Sequence, residues 1–129
     1  MGHLDMHGVG GDWLVTPMDW FTAILDKLDA EKERIWVADV VAWHQYKTER
    51  DSAEVKVLQS VPKGLRLSLT SKADPAFYDF PLTLETTVPS GWKEVSIKQG
   101  AVETSSPVKD GVVRYHAVPG AEEIRLVAK

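Results

Sequence analysis

In Leu65-Arg66-Leu67-Ser68-Leu69, apolar and polar side chains alternate without exception. Successive side chains of an extended strand point to opposite faces. A period of two therefore puts three leucines on one face and leaves Arg66 and Ser68 on the other. Glu54-Val55-Lys56-Val57-Leu58 and Leu82-Thr83-Leu84-Glu85-Thr86 alternate in the same way, and each is bounded by turns containing Pro, Gly or Asp. Further strands are predicted at 94–99, 101–104, 112–117 and 124–127. Turn signals fall between them at Ser90-Gly91, Gln99-Gly100, Asp110-Gly111 and Pro119-Gly120. Six or seven short antiparallel strands at this spacing predict an immunoglobulin-like β-sandwich over residues 53–129.

Upstream of residue 53 the period lengthens. Thr16-Pro17-Met18-Asp19 combines an N-cap threonine, a proline suited to the first helical position and an acid near the positive end of the helix dipole. Trp20, Phe21, Ile24, Leu25 and Leu28 then form one apolar stripe, which predicts a helix over 17–33. Burial of that stripe against the second helix or the sandwich, or self-association through it, is expected. Ile35-Trp36-Val37 is a short buried-strand candidate. Asp39 can cap a second helix ending near Arg50, with Val40, Val41, Trp43, His44 and Tyr46 or Lys47 inward. The fold class is thus α+β, with a two-helix segment over 1–52 and a β-sandwich over 53–129.

The chain has 129 residues, 43% of them apolar and 26% charged, enough to bury a core. Its net charge is −4 and its fifteen Lys and Arg residues are scattered, which argues against nucleic acid as a partner. With no cysteine, disulfides and thiolate metal sites are excluded and the redox compartment stays open. No apolar run approaches the roughly 20 residues of a membrane-spanning helix, and the first 30 residues lack the blocks of a signal peptide.

The N-terminal stretch Asp5-Met6-His7-Gly8-Val9-Gly10-Gly11-Asp12-Trp13 sets a histidine beside a glycine-rich turn ahead of a helix, a common way to hold a side chain at the mouth of an α/β site. With few residues before it, the chain reads as the tail of an enzyme. His-Gly-Val-Gly-Gly-Asp-Trp, the capped helix, the Trp36-Val37 segment, a second helix carrying Tyr46, and a β segment containing Pro81-Leu82-Thr83-Leu84 follow in that order. This order resembles the C-terminal end of bacterial polysaccharide deacetylase-like proteins, whose distorted (β/α) barrel ends in such a histidine-bearing segment. The resemblance implies that His7 matches the general acid, residues 35–37 the last barrel strand and 39–50 the last barrel helix. In that family a divalent metal, zinc, is held by an aspartate and two histidines, and a second aspartate acts as base. All of these lie on motifs N-terminal to the one present here, so the resemblance implies no metal or other cofactor in this chain. It also implies a parent family that is often secreted or periplasmic.

Several residues have a structural reading beside the chemical one. His3 and His7 are i,i+4 neighbours, but the glycines at 2, 8, 10 and 11 argue against the helix that would align them on a metal. Gly8-Val9-Gly10-Gly11 lacks the lysine of a phosphate-binding loop and reads as a turn. Trp13, Trp20, Trp36 and Trp43 could stack on sugar rings, although Trp20 and Trp36 fall where core is expected. Trp92, Tyr78 and Phe80 are the candidates for an aromatic sugar contact on the sandwich, with core filling as the alternative. His44 reads as a partly buried helix residue and His116 as a strand surface residue. Asp74, Asp79 and Asp110 fit turn hydrogen bonding. Ser105-Ser106 reads as a turn-like segment without a nucleophile elbow.

The leading functional expectation is a non-catalytic accessory domain of a deacetylase-like, carbohydrate-active protein, with polysaccharide as partner through Trp92, Tyr78 and Phe80. A β-sandwich interaction or assembly module is the second expectation. The third is an enzyme fragment or subunit that contributes His7 to a site completed by the missing barrel.

Overall fold

The computed structural model, which describes residues 17–120 and 122–129, turns the alternating segments into seven strands. They are β1 (Ala53–Val61), β2 (Gly64–Ser71), β3 (Leu82–Thr87), β4 (Glu94–Gln99), β5 (Val102–Lys109), β6 (Val112–Ala117) and β7 (Ile124–Ala128). Two helices precede them, α1 (Met18–Ala30) and α2 (Val40–Ser52), so the class is α+β. No helix among the described residues is long and apolar enough to cross a membrane.

All seven strands belong to one antiparallel sheet, in the order β1-β2-β7-β4-β5-β6-β3. The strand β5 links its two parts. Residues 102–107 pair with β4, whereas Val108 and Lys109 pair with Val113 and Val112 of β6. The change of partner comes at Pro107, which has no N–H to give to a ladder, and beside it the Ser106 hydroxyl donates to the Arg114 carbonyl at 2.8 Å. Two separate sheets, as in the expected sandwich, are therefore replaced by one continuous curled sheet. The curl is visible in the core. Leu65, Leu67 and Leu69 of β2 share one buried cluster with Val113 and Tyr115 of β6, four places along the strand order.

That cluster follows the sequence alternation. Val95 and Ile97 of β4, Val113, Tyr115 and Ala117 of β6, and Ile124 and Leu126 of β7 all point inward while their neighbours stay outside. Tight turns fix the register. Asp110 and Gly111, at φ of 53° and 76°, form the two-residue loop between Lys109 and Val112, where a positive φ at both positions matches the strand twist.

The chain divides into two compact units, one ending at Ala38 and one running from Asp39 to Lys129. In the first, α1 buries none of its residues. Trp20, Ile24 and Leu25 are about half or more exposed, so the expected burial of the stripe is not found. Ile35, Trp36 and Val37 form no strand and are likewise exposed.

In the second unit Asp39 caps α2 as expected, accepting from the Ala42 N–H at 2.7 Å. The phase of that helix differs from the prediction. Val40, Val41, Trp43 and His44, all expected inward, are exposed, while Ala42, Gln45, Tyr46 and Glu49 turn inward. The spacing i, i+3, i+4, i+7 is that of one helix face. Ser52 ends the helix and Ala53 begins β1 with no linker between them, so the strand's register sets the rotation of α2. The inward face packs against β2 and β3.

Candidate ligand-binding cleft

Beside the sheet, a loop also meets the inward face of α2. After β2, Asp74 closes a turn: its side chain accepts from the Ala76 N–H at 2.9 Å, and its carbonyl accepts from the Phe77 and Tyr78 N–H groups at 3.0 Å. The amide of Gln45 donates to the Phe77 carbonyl at 3.0 Å and ties this loop to the helix. The Ser52 carbonyl accepts from the Lys72 N–H at 3.2 Å and ties its start to the same helix end. On the far side, Gly120 of the β6–β7 connection donates its N–H to the Leu69 carbonyl at 2.9 Å.

Between helix, loop and connection lies an open cleft of about 300 Å³, lined by Glu49, Thr70, Ser71, Tyr78, Pro119 and Gly120, with Ala73 and Pro75 at its side. Tyr78 is half-buried, with its ring edge-on to His44 at 6.3 Å between centroids. The Ser71 hydroxyl accepts from the Ala73 N–H at 3.1 Å, which leaves its own O–H free to donate elsewhere.

Glu49 is 1% exposed, the only charged side chain buried among the described residues, and its Oε2 has no hydrogen-bond partner. Cations stand next to it in sequence but are engaged elsewhere. Lys47 and Arg50 both pair with Asp51, and these hydrogen bonds, Lys47's first, hold the Asp51 carboxyl below its ordinary value. Sequence reading missed Glu49. In Lys47-Thr48-Glu49-Arg50-Asp51 it looks like part of a solvated charge run, and only the rotation of α2 puts it inside.

The three aromatic candidates are separated by the fold. Tyr78 lines the cleft. Phe80 lies beyond it, half-buried and edge-on to Tyr46 at 6.2 Å. Trp92 is a core residue, 9% exposed, whose indole N–H donates to the Pro62 carbonyl at 3.1 Å; its face is spent on packing and does not meet solvent. His7 and Trp13 lie outside the described residues, as do His3 and the glycine-rich turn. His116 is an exposed strand residue beside the Thr83 hydroxyl, and Ser105-Ser106 sits inside β5 rather than in a turn. No group of three His, Cys, Asp or Glu side chains among the described residues could hold a metal ion.

A second depression, of about 470 Å³, opens on the outer face of the sheet. Cross-strand register lines up Arg66, Arg125 and Lys98 on β2, β7 and β4. Like charges opposite one another repel, and Glu123 relieves this by taking two hydrogen bonds from Arg66 Nη2, at 2.6 and 2.8 Å, and one from its Nε at 3.1 Å. The charge of this face is therefore largely satisfied within the protein, whereas the cleft beside α2 keeps an acceptor unused.

No family model matches the chain, and no solved structure matches it. A gellan lyase of a Bacillus species is similar, 27% identical over 121 residues that cover 87% of this chain. Those residues are 5% of the lyase, so the chain spans about one twentieth of the length of that curated relative.

Proposed function

We propose that this chain is a non-catalytic, carbohydrate-binding accessory domain of a polysaccharide-active protein. The observation that carries the reading is the similarity to a gellan lyase across most of this chain but only 5% of that enzyme. A segment so small beside the whole fits an auxiliary role better than a catalytic one. The cleft between α2 and the β2–β3 loop supports it: Tyr78 offers a ring for the C–H edge of a pyranose, and Thr70 and Ser71 offer hydroxyls. In this reading the curled sheet acts as the platform that carries the cleft.

Affinity electrophoresis of the 129-residue chain through gels containing gellan and a panel of other polysaccharides tests the proposal. At least one polysaccharide should retard the chain, and Tyr78→Ala should weaken that retardation about tenfold while Trp92, in the core, plays no part in contact. Unretarded migration in every gel would refute the reading.

A further inference from the structure

We infer that Glu49 is the specificity-determining acceptor of the cleft, and that it takes hydroxyl donors from an uncharged sugar ring. The inference rests on the carbohydrate-binding reading and adds the chemical class of the ligand to it. Buried polar atoms in folded proteins are almost always hydrogen-bonded, and an orphan calls for a reason. Glu49 Oε2 is such an orphan on a side chain 1% exposed, and the same side chain lines the cleft. Because Glu49 is part of the cleft wall, a donor that enters the cleft comes beside a carboxyl group whose acceptor is unused, and a small turn of the side chain brings the two together.

The lining narrows the donor. None of the residues around the cleft is Lys or Arg, so an anionic sugar would find no cation there to pair with its charge. A metal ion would need further hard ligands, and no cluster of such side chains is present among the described residues. Hydroxyls fit. Once the Glu49 side chain turns toward the cleft, one sugar O–H can donate to its carboxyl group, a neighbouring sugar oxygen can accept from the free O–H of Ser71, and the ring's C–H edge can lie on Tyr78. A volume of about 300 Å³ is at the lower end for small-molecule sites, the scale of a single sugar unit rather than an extended chain.

Glu49→Gln keeps the shape and turns one acceptor into a donor, so it separates recognition from packing. By calorimetry with neutral oligosaccharides, this variant should bind about tenfold more weakly than the parent, in line with loss of one hydrogen bond. Its thermal midpoint should be equal or higher. Oligosaccharides of the same length carrying uronic acids should bind the parent more weakly than neutral ones. In the parent, the Glu49 side-chain carboxyl carbon should shift in its NMR spectrum on saturation with a neutral ligand, a readout that stands even if the variant folds poorly.

Unchanged affinity in Glu49→Gln, or a carboxyl signal that does not move, overturns the assignment of Glu49. If Tyr78→Ala still weakens binding in that case, the carbohydrate reading survives. Absence of binding by any saccharide overturns both.

Discussion

Tyr115 shows at the scale of one residue how burial in the curled core becomes a pH dependence. Its ring lies in the core on β6, and its hydroxyl shares a 2.9 Å hydrogen bond with Thr86. Burial pushes the phenol above its ordinary value of 10.0, and the Thr86 bond opposes that shift without cancelling it. The native state therefore keeps the proton after the unfolded chain has begun to lose it. Above pH 10 the unfolded state binds fewer protons than the native state, so stability falls as pH rises. Tyr115→Phe should cost about 0.5–1.5 kcal/mol near neutrality through the lost hydrogen bond. The gap to the parent should then shrink above pH 10, because the variant lacks this proton. Urea unfolding at pH 7 and pH 11 measures both, and a gap that widens at pH 11 would show the opposite shift. Single residues also mark the limit of sequence reading. Tyr115 and the leucines of β2 follow from alternation, whereas Glu49 depends on the rotation of a helix fixed by the strand it runs into. No local pattern encodes that rotation.

At the scale of elements, the segments read best were those whose two ends carry turn chemistry. The boundaries of β4 and β6 coincide with the prediction because 90–91, 99–100 and 110–111 punctuate them. The strand β5 was read short. Its residues Glu103, Thr104, Ser105 and Ser106 lack an apolar face, and the strand is held instead by cross-strand hydrogen bonds, Ser96 to Glu103 and Ser105 to Glu94. These depend on the neighbouring strand and are silent in a local window. The first helix carries the opposite lesson. Its apolar stripe predicted α1 correctly, but period alone does not say what covers a stripe, and none of the α1 residues is buried. Leu25, 48% exposed, has little packing to lose. Leu25→Asp should therefore leave the thermal midpoint within about 2 °C of the parent, as expected for a surface change of under about 0.5 kcal/mol. A fall of 10 °C would mean that the stripe is covered in solution.

For the whole molecule, stability should reside in the unit from Asp39 to Lys129, which holds all thirteen buried apolar residues of the core cluster. The helix α2 belongs with them. Tyr46 packs on that cluster, Gln45 fastens the β2–β3 loop, and the chain runs from Ser52 into β1 without a break. Two truncations separate these contributions. A chain beginning at Asp39 should fold cooperatively with a midpoint close to that of the full chain, because all thirteen residues of the core cluster are retained. A chain beginning at Ala53 should lose several degrees or more, since removing α2 uncovers the sheet beneath Tyr46 and strips the loop of its Gln45 tether. The same comparison bears on the cleft, because only the chain beginning at Asp39 keeps Glu49 and the helix wall that faces Tyr78. It should retain saccharide affinity in full, and the shorter one should have none even where its sheet still folds. Equal midpoints for the two truncations in calorimetry would show that α2 adds nothing to the core, and the account of its inward face would then fail.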